Sequence, residues 1–181
     1  MTPTALIVID AQESFRQRPY WQPQLASAYF AAQNHLIEGA RSRGLPIVRV
    51  LHVDEGPFAL ASGFVTPLRE LAEFDPAVTV HKQRHSALVG TPLETWLIRE
   101  GIRRVIISGI RTEQCCETTA RHASDLGFEV DYVTEATLTF PMTHASGVTL
   151  SADDLKLRTE LVLTGRFATV CSVEQALARV G

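Results

Sequence analysis

The sequence predicts an α/β fold, a three-layer, Rossmann-like sandwich around a six-stranded, mostly parallel sheet in the order 3-2-1-4-5-6. Short apolar runs without alternation, such as ALIVID (5–10), IVRVLHV (47–53) and RVIIS (104–108), read as strands covered on both faces. Segments with helical spacing alternate with them, as right-handed crossovers between parallel strands require. Residues 1–181 hold no internal repeat, linker or low-complexity tract, so one domain is expected over the whole length.

Strand one ends on Asp10. Beyond a loop carrying Arg18-Pro19-Tyr20-Trp21, the residues Leu25, Tyr29, Ala32, Leu36 and Ala40 recur at helical spacing, and that helix should stop near Gly44. Residues 47–53 form strand two and 55–63 a loop. Thr66-Pro67 opens a short helix with proline in its first position, and Asp75-Pro76 closes it. VTV (78–80) is strand three, followed at once by His81-Lys82. TPLE (91–94) reads as a capping box for a helix that runs to Glu100, with Gly101 at its C-terminal cap. Strand four (104–108) leads to a helix over about 113–126, before Gly127. FEVDYV (128–133) is strand five, 151–163 is helical, FATV (167–170) is strand six with Cys171 as core, and 172–180 is a final capped helix.

Composition excludes several functions. Of 181 residues, 45% are hydrophobic and 20% charged, as in an ordinary globular chain. A net charge of −3 supplies no electrostatic footprint for nucleic acid or an anionic membrane. No apolar run approaches the roughly 20 residues of a membrane span. MTPTALIVIDAQ has no basic leader, and three cysteines, two of them adjacent, form no disulfide framework, so the expectation is a cytoplasmic protein.

The chemistry gathers at 105–121, VIISGIRTEQCCETTAR, where strand, polar turn and helix start carry a cysteine. Helix N-termini favour a thiolate, because unpaired N–H groups and the helix dipole point at it. Cys116 falls on the apolar stripe with Ala120, Ala123 and Leu126, which leaves Cys115 pointing elsewhere. In an open parallel sheet, ligands sit beyond the carboxyl ends of the strands where strand order reverses. Asp10, ending strand one, and Cys115, following strand four, should face that crevice together. Lys82 follows strand three and must reach in over the end of strand two.

Three segments then resemble one family. DAQESF (10–15) fits Asp-x-Gln-x-x-Phe. KQRHSALVGTPLETWL (82–97) fits Lys-x-x-x-Ser-Ala-aromatic and Gly-Thr-x-Leu, with Leu88 in place of the aromatic. GIRTEQCCETTARHASDLGFEV (109–130) fits Gly-x-x-Thr-x-x-Cys-Val-x-x-Thr-Ala. Their order and spacing resemble the cysteine hydrolases of the isochorismatase-like superfamily, which includes nicotinamidases and N-carbamoyl amidases.

The resemblance implies a hydrolase of carbon–nitrogen bonds with a triad of Cys115 as nucleophile, Asp10 as general base and acid, and Lys82 depressing the thiol pKa. It also implies an oxyanion hole from the backbone N–H groups of Arg111 and Cys115, with a cis peptide at Ile110–Arg111. Arg111 departs from the small residue usual there. No cofactor is expected. Nicotinamidases carry Asp-x-His and further histidines after strand two, whereas this chain has His52 and Asp54 in reversed order. A ligand set from His52, Asp54, His81 and His85 is conceivable, but no metal is expected. For a small-molecule substrate, Gln12, Phe15, Trp21, Arg84 and His85 are the binding candidates, with Arg84 or Arg111 suited to a carboxylate. The family also implies a homo-oligomer. Two alternatives stay open: enol-ether hydrolysis, which true isochorismatases perform without the cysteine, and a non-catalytic or redox-sensing module of the same fold.

Overall fold

The computed structural model describes residues 2–180. Six strands form one parallel sheet: β1 (Thr4–Ile9), β2 (Ile47–His52), β3 (Val78–Lys82), β4 (Arg104–Ile110), β5 (Glu129–Leu138) and, after a small hairpin of β6 (Met142–Thr143) and β7 (Thr149–Leu150), β8 (Thr169–Val170). The sheet order is β3-β2-β1-β4-β5-β8, with every pair parallel. The expected order holds, since β8 is the sixth strand of this sheet.

The apolar runs account for the layers. Every residue of β1 is buried, and successive side chains alternate between faces. Leu6 and Val8 join the cluster beneath α1 (Pro23–Ser42) and α5 (Val173–Ala178). Ala5, Ile7 and Ile9 join the cluster beneath α2 (Leu93–Arg99), α3 (Glu117–Asp125) and α4 (Ala152–Leu163). Strand order reverses between β1 and β4, and there the two backbones press together. Gly109 pairs with Ile9, takes a φ of +123°, and a Cβ added to it would lie 1.9 Å from the Ile9 carbonyl oxygen. Among the described residues no helix is long and apolar enough to cross a membrane.

Several expectations are corrected. The short helix from Thr66-Pro67 to Asp75-Pro76 does not form. Its backbone is taken by tertiary partners instead: Glu13 N–H donates to the Thr66 carbonyl, Leu68 N–H to the Ala11 carbonyl, and Ala72 N–H to Asn34 Oδ1. The TPLE capping box also does not form. The Thr91 hydroxyl donates to the Ala87 carbonyl at 2.6 Å, and Pro92 at the helix start has no side-chain cap. Capping boxes occur at Ser151 with Asp154 and at Ser172 with Gln175. Strands four and five run beyond their expected ends at 108 and 133, because an irregularity after Ile107 and Tyr132 restores pairing at Gly109–Thr137 and Ile110–Leu138. Strand three likewise includes Lys82. Cys171 lies one residue after β8 and is buried in the α1–α5 cluster.

Candidate active site

Three strand ends converge at the reversal point. Asp10 is the first residue after β1, fully buried, with a left-handed φ of 50° that Asp tolerates better than most side chains. Lys82 closes β3, and its side chain crosses the end of β2. Its Nζ lies 2.7 Å from Asp10 Oδ2, 3.0 Å from His52 Nδ1, 3.1 Å from the Arg84 carbonyl oxygen and 3.4 Å from Cys115 Sγ. Asp10 Oδ1 is buried without a hydrogen-bond partner.

Cys115 sits in a single wide turn, Thr112–Cys116, closed by the Cys116 N–H donating to the Arg111 carbonyl five residues back. The Ile110–Arg111 peptide is cis, as the resemblance implies. Tyr132 OH donates to the Thr112 carbonyl at 2.7 Å, and the Thr112 and Thr137 hydroxyls lie 2.7 Å apart, tying this turn to β5. From the other side, the Thr119 hydroxyl donates to the Cys115 carbonyl and accepts from Ala87 N–H. Ser86 Oγ meets His122 Nδ1 at 2.9 Å. The Ser-Ala pair after Lys82 therefore docks the β3 loop along α3, from Thr119 in its first turn to His122 in its last.

Electrostatics differ from the sequence expectation. The turn and Lys82 were expected to lower the thiol pKa; burial, and then the Asp10 charge, push the Cys115 thiol up to about 12. Burial also raises the Asp10 carboxyl against the opposing pull of Lys82. Asp10 in turn helps hold Lys82 above the ordinary lysine value despite burial. The resting arrangement is an ion pair beside a neutral thiol. Cys116 is fully buried in the core beneath α3, and burial drives its thiol well up as well.

The substrate-binding candidates divide. Gln12 is fully buried with its amide taken: Oε1 accepts from the His52 N–H, and Nε2 donates to the His52 carbonyl and Ser14 Oγ. It braces the end of β2 rather than facing a ligand. Phe15 is buried and packs edge-on against Phe58 at 5.1 Å. Trp21 is half-buried against Phe140, with the Arg16 guanidinium over its ring. Arg84 and His85 are exposed, and Arg84 serves Lys82 through its backbone. The Arg111 guanidinium is buried, paired with Glu113 at 3.2 Å, near the Phe140 carbonyl at 3.3 Å and 5.1 Å from the Tyr20 ring. These partners, rather than an open pocket, surround it.

From sequence, His52 is only a metal-ligand candidate. Here its Nδ1 is turned to Lys82, and among the described residues no three His, Cys, Asp or Glu side chains gather as a metal site. The nicotinamidase ligand pattern does not fit these residues. The signal for the actual contact is the register of β2 and β3, which sets His52 opposite Lys82.

Comparison with known proteins agrees with this geometry. Residues 4–175 match the isochorismatase domain. The chain belongs to the isochorismatase family. As an isochorismatase-family hydrolase it is 26% identical over 178 residues to the isochorismatase family protein YrdC of Bacillus subtilis, covering 96% of this chain and 94% of that one. An isochorismatase-family structure from Chromobacterium violaceum superposes with a TM-score of 0.88 at 28% identity, over 99% of this chain and 94% of that chain. A shorter stretch of 65 residues is 45% identical to Nicotinamidase 3 of Arabidopsis thaliana, covering 36% of this chain and 33% of that protein.

Proposed function

We propose that this isochorismatase-family hydrolase cleaves a carbon–nitrogen bond of a small molecule, a primary amide, ureido or carbamoyl compound, through a thioester on Cys115. The observation that carries this reading is the cluster at Lys82 Nζ, 2.7 Å from Asp10 Oδ2 and 3.4 Å from Cys115 Sγ. A nucleophile, a base and a charge partner stand together there, out of water.

The steps follow from the protonation states. A thiol held near 12 stays protonated at neutral pH, so attack requires proton transfer to Asp10 as Sγ bonds the carbonyl carbon. A carboxylate whose pKa is raised by burial is a stronger base for that transfer. The Lys82 ammonium then faces a thiolate as it forms. The tetrahedral oxyanion is received by the Arg111 and Cys115 N–H groups. Asp10 returns its proton to the leaving nitrogen as the C–N bond breaks and ammonia or an amine departs. Water then attacks the thioester, giving one proton to Asp10, which passes it back to the leaving sulfur. The similarity to Nicotinamidase 3 favours an amide over an enol ether.

An ammonia-release screen over small primary amides and ureido compounds, run with Cys115→Ala beside the unaltered chain, tests this. Release should occur and vanish in the variant. Activity that persists in Cys115→Ala contradicts the reading.

A further inference from the structure

An ammonium carries three protons and no more. Around Lys82 Nζ, three acceptors lie closer than the thiol: Asp10 Oδ2 at 2.7 Å, His52 Nδ1 at 3.0 Å and the Arg84 carbonyl at 3.1 Å, against 3.4 Å to Cys115 Sγ. The thiol is the fourth claimant. We propose that His52 is a positioning residue for Cys115: its Nδ1 accepts one of the three ammonium hydrogen bonds in the resting state and gives it up to the sulfur when the thiolate forms. This rests on the reading of Cys115 as the reacting thiol.

Of the three closer acceptors, His52 is the one suited to give way. Asp10 is fully buried and makes the shortest contact to the ammonium, at 2.7 Å, and the Arg84 carbonyl belongs to the backbone. His52 is neutral, and its contact is the longer of the two side-chain contacts to Lys82 Nζ other than the thiol. Its ring is nonetheless well placed. Gln12 clamps its backbone on both sides, Phe58 packs edge-on at 5.7 Å, and Nε2 lies 3.8 Å from Asp54 Oδ2.

The charged and titratable groups facing the ring are Lys82 from β3, Asp10 from the end of β1, Asp54 from its own loop and His85 from the loop after β3. Burial and Lys82 push its pKa below the ordinary histidine value, which keeps the ring neutral, and an ammonium that can only donate selects the tautomer with the proton on Nε2 and the lone pair on Nδ1.

Iodoacetamide labelling of the full chain at pH 8, read at Cys115 by peptide mass spectrometry, tests this. His52→Phe keeps a ring against Phe58 and removes the acceptor. His52→Asn keeps an acceptor and loses the ring. Losing the acceptor frees a proton for the thiol, and a drop of about one pH unit in its pKa raises the thiolate fraction about tenfold. The lower nucleophilicity of a more acidic thiol trims this, so His52→Phe should label roughly threefold faster. His52→Asn should label at the unaltered rate. No change in His52→Phe, or an equal change in both variants, overturns the proposal.

If His52→Phe does not fold, nitrogen NMR of the unaltered protein decides: Nδ1 without a proton supports the role and Nδ1–H overturns it. Persistence of hydrolysis in Cys115→Ala would instead overturn the catalytic reading, whatever the labelling rates.

Discussion

Lys82 and His52 are register partners on the last rung of the β2–β3 ladder, and the Lys82 ammonium reaches past His52 to Asp10 at the end of β1. Three neighbouring strands are thus joined at their carboxyl ends by one buried cation. Removing that cation leaves Asp10 buried and unpaired. Lys82→Met should lower unfolding stability by about 3 kcal/mol, and adding Asp10→Asn should recover roughly half of that loss. Urea unfolding of the two single variants and the double variant measures the coupling.

Alkaline pH should destabilise the fold through its thiols. Burial raises Cys115 to about 12 and Cys171 to about 11, and carries Cys116 well above its ordinary value. Each thiol ionises at lower pH in the unfolded chain than in the folded one. Stability is therefore full below the unfolded thiol value of about 8.5 and is lost as pH rises toward the folded values. Each thiol contributes a slope of about 1.4 kcal/mol per pH unit in that window. Cys116→Ala should make the fall from pH 9 to pH 10 shallower by roughly that amount in urea titrations.

Gly109 is where β4 touches β1. Its φ of +123° and the 1.9 Å approach of an added Cβ to the Ile9 carbonyl leave no room for a side chain. Gly109→Ala should cost at least about 4 kcal/mol or prevent folding. Gly127, with a φ of +89° and open space around its Cβ position, is the control. Gly127→Ala should cost about 1 kcal/mol. Thermal melts of the two variants compare them.

Arg111 is committed to Glu113, the Phe140 carbonyl and the Tyr20 ring. Arg111→Met should destabilise by about 3 kcal/mol, chiefly because Glu113 is left buried without its cation. Changing Glu113 to Met as well should relieve part of that loss. A purely additive double variant in denaturant titrations would argue against the pairing.

The fold was legible where one cause dominates. Unalternating runs such as ALIVID, too short for a core helix, fit strands covered on both faces, and the helices between them require parallel pairing. It was illegible where partners distant in sequence decide. Residues 67–75 carry helix-start and helix-stop signals, yet Ala11 and Asn34 take their N–H groups. The extension of β5 beyond Val133 depends on an irregularity opposite β4 that has no local signature.

At the site, the strand-end logic anticipated Asp10 and Cys115 facing one crevice and Lys82 reaching over strand two. It did not anticipate the His52 contact, because ending strand three at Val80 hides the rung that pairs His52 with Lys82. The direction of the thiol pKa was also hidden, since turn and charge can be read from residue order and burial cannot.

In the proposed reaction Cys115, and not its neighbour Cys116, carries the acyl group. Rapid acid quench during turnover of an amide that releases ammonia, followed by peptide mass spectrometry, tests it directly. An acyl adduct that hydroxylamine removes should appear on Cys115, present in Cys116→Ala and absent in Cys115→Ala. Turnover with Cys115 unmodified, or an adduct on Cys116, would contradict it.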